Sequence, residues 1–511
     1  MKFHTFCFLF TAMLASSPAL SGSNNHSNND NKLPKSLEQK VKNFRTDLEA
    51  RGYQVAQGNW NLFTIEDCKF PIETIGICMG NNPAAPYVIP TLPLWPDEFV
   101  DDKMKDLLGP TQGDTWWTYR LDEREALVVL AQLPPPGKYF SLETYVFTRE
   151  GKINTNDEIY QSVQADPFMQ SILFKKSPNP SRLLTFASVG DNNNNVVIEQ
   201  QSGAAFDQQR FFIITPDKVM KRKLTQALLR AGVPDRNQVF TEPVSPDVAR
   251  LGLGAEADDL MIIARYTHPE DEVAGDQWRQ QLPLAVFRVR DPDTARATEP
   301  FPFPVREERI AQSELELEGD AKDLVDAVKQ RWGQPNSKVG EFESLLLKVD
   351  LLGEHCLPRP MNCIGDNSDA DYQISPTARL DSGEILAVVG TLGTVTGNAT
   401  YVSLSPNWIP PLEGVLDVSD VDLEGSASAF AEMVNNTEKF YVHYFARDCT
   451  DLPNCHEITK DMIPQDGELK LVQRDYVVPG STRGPDPRLL VNPSLIILDG
   501  ASRPKNLTDK K

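Results

Sequence analysis

Short apolar runs bounded by Asp, Gly and Pro recur along the chain, as in Ala126–Ala131 (ALVVLA) and Ile385–Gly390 (ILAVVG). Runs of this length between turn residues predict buried β-strands. Tyr139–Phe147 (YFSLETYVF) and Tyr401–Ser405 instead alternate polar and apolar positions, the period of a strand with two different faces. Leu37, Val41, Phe44 and Leu48 recur at helical spacing, with Ser36 and Gln39 placed as a capping box and Gly52 as the stop. Arg210–Thr215 reads as a strand. Asp217 then caps a helix carrying Val219, Met220, Leu224, Ala227, Leu228 and Ala231, stopped by Gly232 and Pro234. Leu260–Tyr266 and Leu284–Arg290 read as further strands, and a second helix is expected from Asp320 to Trp332.

An internal repeat organises these elements. Cys78–Ile89 (CMGNNPAAPYVI) aligns without gaps to Cys363–Ile374 (CIGDNSDADYQI), with six of twelve positions identical. Leu121–Ala131 matches Leu380–Gly390 at five of eleven, and Tyr139–Leu142 matches Tyr401–Leu404 in the same order. Matches in one order argue for duplication of a unit. Hairpins with Pro-rich connections predict an α+β, β-rich chain: two related β-sandwich or jelly-roll-like units with an α+β insert between them. The expected divisions are a signal peptide over 1–21, a flexible linker over 22–35, and a helix with the first repeat over 36–150. The insert follows over 151–335, the second repeat over 336–505, and a polar tail over 506–511.

Charge narrows the partners. Lys and Arg total 51 against 72 Asp and Glu, a net charge of −21, so nucleic acid is not expected as a partner. Lys2 followed by the apolar stretch Thr5–Ala15 and small residues near Ser21 reads as a secretory signal, and no later run is long enough to span a bilayer. Cys7 lies in that signal. The remaining six cysteines fall into close pairs, Cys68/Cys78, Cys356/Cys363 and Cys449/Cys455, and pairing neighbours is the simplest disulfide closure. The rival reading, thiolate metal ligands, calls for C-x-x-C spacing, which the chain lacks. Sequons at Asn25, Asn398, Asn435 and Asn506 predict a secreted glycoprotein.

At Gly80–Tyr87 (GNNPAAPY) and Cys363–Tyr372 (CIGDNSDADY), the chain resembles a widespread family of secreted or periplasmic proteins without an assigned activity. Its late half is also similar to a bacterial β-sandwich domain of unknown function. The resemblance implies fold and export, and it carries over no catalytic residues.

Candidate chemistry concentrates in the repeated loops. Asp366, Asp369 and Asp371 lie within six residues and offer hard oxygen ligands suited to Ca²⁺, although Ser368 and Ala370 break the EF-hand pattern. The bland alternative is that these side chains bond nearby backbone N–H groups and shape a turn. Asn82, Tyr87, Asn367 and Tyr372 recur in both copies and are the expected ligand-binding residues of an inter-repeat cleft. His443, on an alternating strand with Tyr441 and Phe445, is a weak candidate general base; a hydrogen-bonded core histidine is the commoner outcome. No complete catalytic constellation stands in the sequence. The expected function is therefore binding of a small molecule or glycan between the repeats. An enzyme or accessory protein of a small-molecule biosynthetic route is the alternative. Oligomeric state cannot be read from the chain.

Overall fold

A computed structural model describes residues 32–502. Four open sheets form, and none closes into a barrel. The first runs Gln54–Gln57, Leu284–Arg290, Glu125–Gln132, Gln209–Thr215, Val239–Pro243 from edge to edge. The second runs Asn59–Phe63, Tyr87–Thr91, Asp259–Pro269, Gly137–Glu150, Arg182–Ser188, with Asn193–Asn194 pairing beside it. The third runs Val339–Glu341, Ser494–Asp499, Glu384–Thr391, Phe440–Ala446, Cys455–Glu457. The fourth runs Glu343–Ser344, Ala370–Ile374, Glu468–Tyr476, Tyr401–Ile409, Glu413–Gly414.

The expected jelly-roll or sandwich units with an insert are thus not what forms; the fold is mixed α+β. The segment 151–335 is no separate layer, because it supplies strands to both of the first two sheets. The misreading has a physical source. Gln209–Thr215 and Val239–Pro243 pair in parallel, and here the chain returns to the start of the second strand by a long crossover. The helix Lys218–Arg230 is that crossover. Asp217 caps it by accepting from the Val219 and Met220 amides. Its apolar face lies with Leu37, Phe44 and Leu48 of the helix Lys35–Ala50 on the outer face of the first sheet. That first helix starts after Pro34 without a side-chain cap, so the Ser36/Gln39 box does not form.

Burial on both faces explains the apolar runs. Ala126, Val128 and Leu130 meet the two helices, while Leu127, Val129 and Ala131 point into the core shared with the second sheet. In the later half Ala387 and Val389 face the helix Glu318–Arg331, and Leu386 and Val388 face the fourth sheet.

The strand orders reveal the duplication in full. The first and third sheets match strand for strand, down to the parallel pair at one edge. The second and fourth match likewise. Arg265 sits opposite both Ser141 and Tyr87, and Arg474 opposite both Ser403 and Tyr372. The two halves meet along a seam where residues of both join one apolar cluster, including Ile374, Leu412 and Val472 of the later half.

All three expected disulfides are present: Cys68–Cys78, Cys356–Cys363 and Cys449–Cys455. They belong to an oxidising environment. Glycoprotein character finds no support: Asn398 is fully buried, its amide donating to Gln312 O and Glu314 Oε1, so no glycan can be attached there. Asn435 is exposed, while Asn25, Asn506 and the expected signal peptide lie outside the described residues. Export accordingly has no structural support beyond the disulfides. Among the described residues no helix is long and apolar enough to cross a membrane.

Candidate functional site

The two repeated loops clamp the halves to each other. Cys78 and Gly80 donate their amides to Pro411 O and Leu412 O, at 2.7 and 2.8 Å. Cys363 and Gly365 donate to Thr185 O and Phe186 O, each at 2.8 Å. Each loop therefore reaches across the seam, the first onto the turn before the edge strand Glu413–Gly414 and the second onto the edge strand Arg182–Ser188. Gly80 and Gly365 adopt φ of 66° and 69°, and a Cβ on Gly365 would stand 2.3 Å from the Phe186 ring. Asn81 exchanges two hydrogen bonds with the Gly414 backbone. At the equivalent position, Asp366 accepts from Ser188 N, Ser188 Oγ and Gly353 N at 2.7–2.8 Å.

Of the four expected ligand residues, Asn82 and Asn367 take part in this fastening. Asn82 Oδ1 accepts from Ala84 N and Asn367 Oδ1 from Asp369 N, a turn in which the side chain stands in for backbone. Their amide groups reach Tyr476 OH at 3.5 Å and Tyr139 OH at 3.0 Å across the seam. Tyr87 and Tyr372 lie under the guanidinium groups of Arg265 and Arg474, at 5.4 and 5.8 Å. Of the four, Tyr372 alone also borders a cavity described below.

The three acids go to three different places. Asp366 holds Ser188 and Gly353, Asp369 accepts from Tyr139 OH at 2.7 Å, and Asp371 accepts from Ser344 Oγ at 2.7 Å. Burial pushes all three carboxyls above the usual range, against the pull of these hydrogen bonds. Among the described residues no three His, Cys, Asp or Glu side chains gather as a metal cluster.

His443 is 1% exposed, with Nε2 3.0 Å from His456 Nδ1 and its ring against Phe445. Burial, with His456 beside it, pushes its pKa down to about 3. A sealed imidazole that weakly basic packs the core between the third and fourth sheets and is poorly suited to take a proton from a substrate.

A more competent site lies further along the seam, on residues the sequence reading passed over. In Glu468–Tyr476, Leu469 and Leu471 point into the core between sheets. Alternation turns Lys470, Val472, Arg474 and Tyr476 toward the seam. Val472 and Arg474 border a small cavity of about 40 Å³, walled by Met169 and Ile172 from one half and Leu345, Ile364 and Tyr372 from the other. Asp366 and Asn407 also reach this chamber. Arg474 is fixed there by Ser405 Oγ at 2.6 Å and Gly80 O at 3.2 Å. Met169 and Ile374 border both the chamber and an open groove of about 710 Å³. Asp166, Glu343, Lys348 and Lys470 line the groove. A polar groove thus adjoins a largely apolar pocket that holds a few polar groups, and apolar walls with a few placed polar groups are the common anatomy of a small-molecule site. A signal was present in the sequence: a lysine between two strand leucines, two positions short of a second inward residue and four short of an arginine.

No family model matches the chain, and no curated protein matches it. Among solved structures, an uncharacterised protein from Burkholderia cenocepacia is similar at 10% identity and a TM-score of 0.38, covering 91% of this chain and 94% of that one. A likeness that loose transfers neither fold nor function.

Proposed function

We propose that this protein, a duplicated α+β chain, binds a small molecule with a short apolar end and a polar end in the seam between its halves, in an oxidising compartment. The observation that carries this reading is that groove and chamber lie side by side, with Met169 and Ile374 in the walls of both. The chamber walls are mostly apolar, and its volume of about 40 Å³ exceeds the roughly 10–15 Å³ that a single water requires. A few carbons fill it better than solvent does, and the polar end of the ligand is left among the charged groups of the groove.

Calorimetric titration with butanol, butyrate and butylamine tests the reading, because the series holds the apolar end fixed and changes the polar one. Saturable binding of at least one is expected, and it should disappear in Val472→Phe, which fills the chamber. Binding equally strong in that variant, or no binding to the wild type across the series, overturns the seam as the site.

A further inference from the structure

Lys470 is out of place for a structural lysine. It is 5% exposed, yet its Nζ has one hydrogen-bond acceptor, Ser375 O at 3.0 Å. An ammonium carries three donors. Among the described residues no carboxylate lies within ion-pair distance of it, while neighbouring Lys348 is paired with Glu343. Its Nζ lies 5.7 Å from the centre of the Phe168 ring. The duplication supplies an internal comparison. Aligning Arg474 with Arg265 puts Met261 at the position of Lys470, and Met261 is fully buried in the core. The position accepts an apolar side chain in one half and carries an amine in the other, where the groove opens beside it.

Resting on the seam as a small-molecule site, we propose that Lys470 condenses with a carbonyl compound, an aldehyde or ketone, bound in the groove. A buried amine short of acceptors, its ammonium form disfavoured by desolvation, is the arrangement that makes lysine a nucleophile. Burial holds its ammonium below the ordinary lysine range, with Lys348 acting in the same direction and Asp166 and Glu343 opposing. The ammonium first gives a proton to groove water. The Nζ lone pair then forms the C–N bond as the carbonyl π pair moves to oxygen, which takes up a proton. Loss of that oxygen as water, with the remaining nitrogen proton, gives the imine; amine and carbonyl yield imine and one water, with no change of oxidation state. The chamber takes the apolar end of the carbonyl compound.

The test is reductive trapping on the intact protein: butyraldehyde with cyanoborohydride at neutral pH, followed by peptide mapping. Modification of Lys470 is expected on the order of tenfold or more faster than the typical exposed lysine. Lys470→Met, which installs the residue of the other half, should remove that fast adduct and leave the slow ones. Lys470 reacting no faster than exposed lysines overturns the proposal. Because the measured rate belongs to the wild-type protein, a poorly folding variant does not blunt the result. Butanol cannot form an imine, so binding of butanol without fast trapping sinks the covalent step and leaves the seam site standing. Absence of both removes the two together.

Discussion

Glu242 gives the sharpest quantitative expectation. It sits on the edge strand Val239–Pro243 and accepts from the Thr144 amide at 2.5 Å, tying the first sheet to the second. It is 2% exposed, its other oxygen has no partner, and among the described residues it forms no ion pair. Burial pushes its pKa from 4.5 up to about 8, against the weaker pull of the Thr144 hydrogen bonds. Between those values the folded chain keeps a proton that the unfolded chain releases, so stability is full below about 4.5 and falls as pH rises toward 8. At 1.36 kcal/mol per tenfold change in proton affinity, the whole window amounts to about 5 kcal/mol. Glu242→Gln stays neutral throughout. Urea unfolding of both proteins at several pH values across the window should show the wild type losing about 1.4 kcal/mol per pH unit relative to the variant. Other buried carboxyls tilt both curves alike and cancel in the difference. Parallel curves with unchanged denaturant slopes would refute the reasoning, since they would mean Glu242 ionises in the fold as freely as outside it.

The clamp and the acids yield three further expectations. Asp366→Ala strands three buried donors, on Ser188 and Gly353, and should cost roughly 3 kcal/mol or more in chemical denaturation; a change under about 1 kcal/mol would deny the clamp its role. Gly365→Ala adds a Cβ against the Phe186 ring at a φ of 69°, so a loss of about 2–3 kcal/mol is expected, with wild-type stability the contrary result. Because Asp366, Asp369 and Asp371 are committed to separate protein donors, millimolar calcium should leave the thermal midpoint where chelator leaves it. A calcium-dependent rise in wild type that Asp369→Asn abolishes would restore the loop as a cation site.

Much of the secondary structure was legible because burial leaves a pattern. The runs at Ala126 and Ile385 and the helix after Asp217 are read from apolar spacing alone, and the cysteine pairs from proximity. The full extent of the duplication was not legible, and chain length is the reason. In the first half the parallel crossover is the helix Lys218–Arg230; in the second, Phe440–Ala446 reaches its parallel partner through a short loop closed by Cys449–Cys455. Equivalent connections with different chemistry defeat alignment, so strands of the first half looked like an insert. The seam was hidden for another reason. Asn82 and Asn367 repeat because both halves need the same fastening, and a repeated polar residue resembles a site whether it binds a ligand or its own chain. In a duplicated protein, what the copies share is chiefly what holds them together. Chemistry that only one copy can perform stands where they differ. Asp366 in place of Asn81 changes which backbone groups the clamp grips and remains architectural. Lys470 in place of Met261 puts an amine short of acceptors beside an open groove, an expense in desolvation that packing alone does not explain.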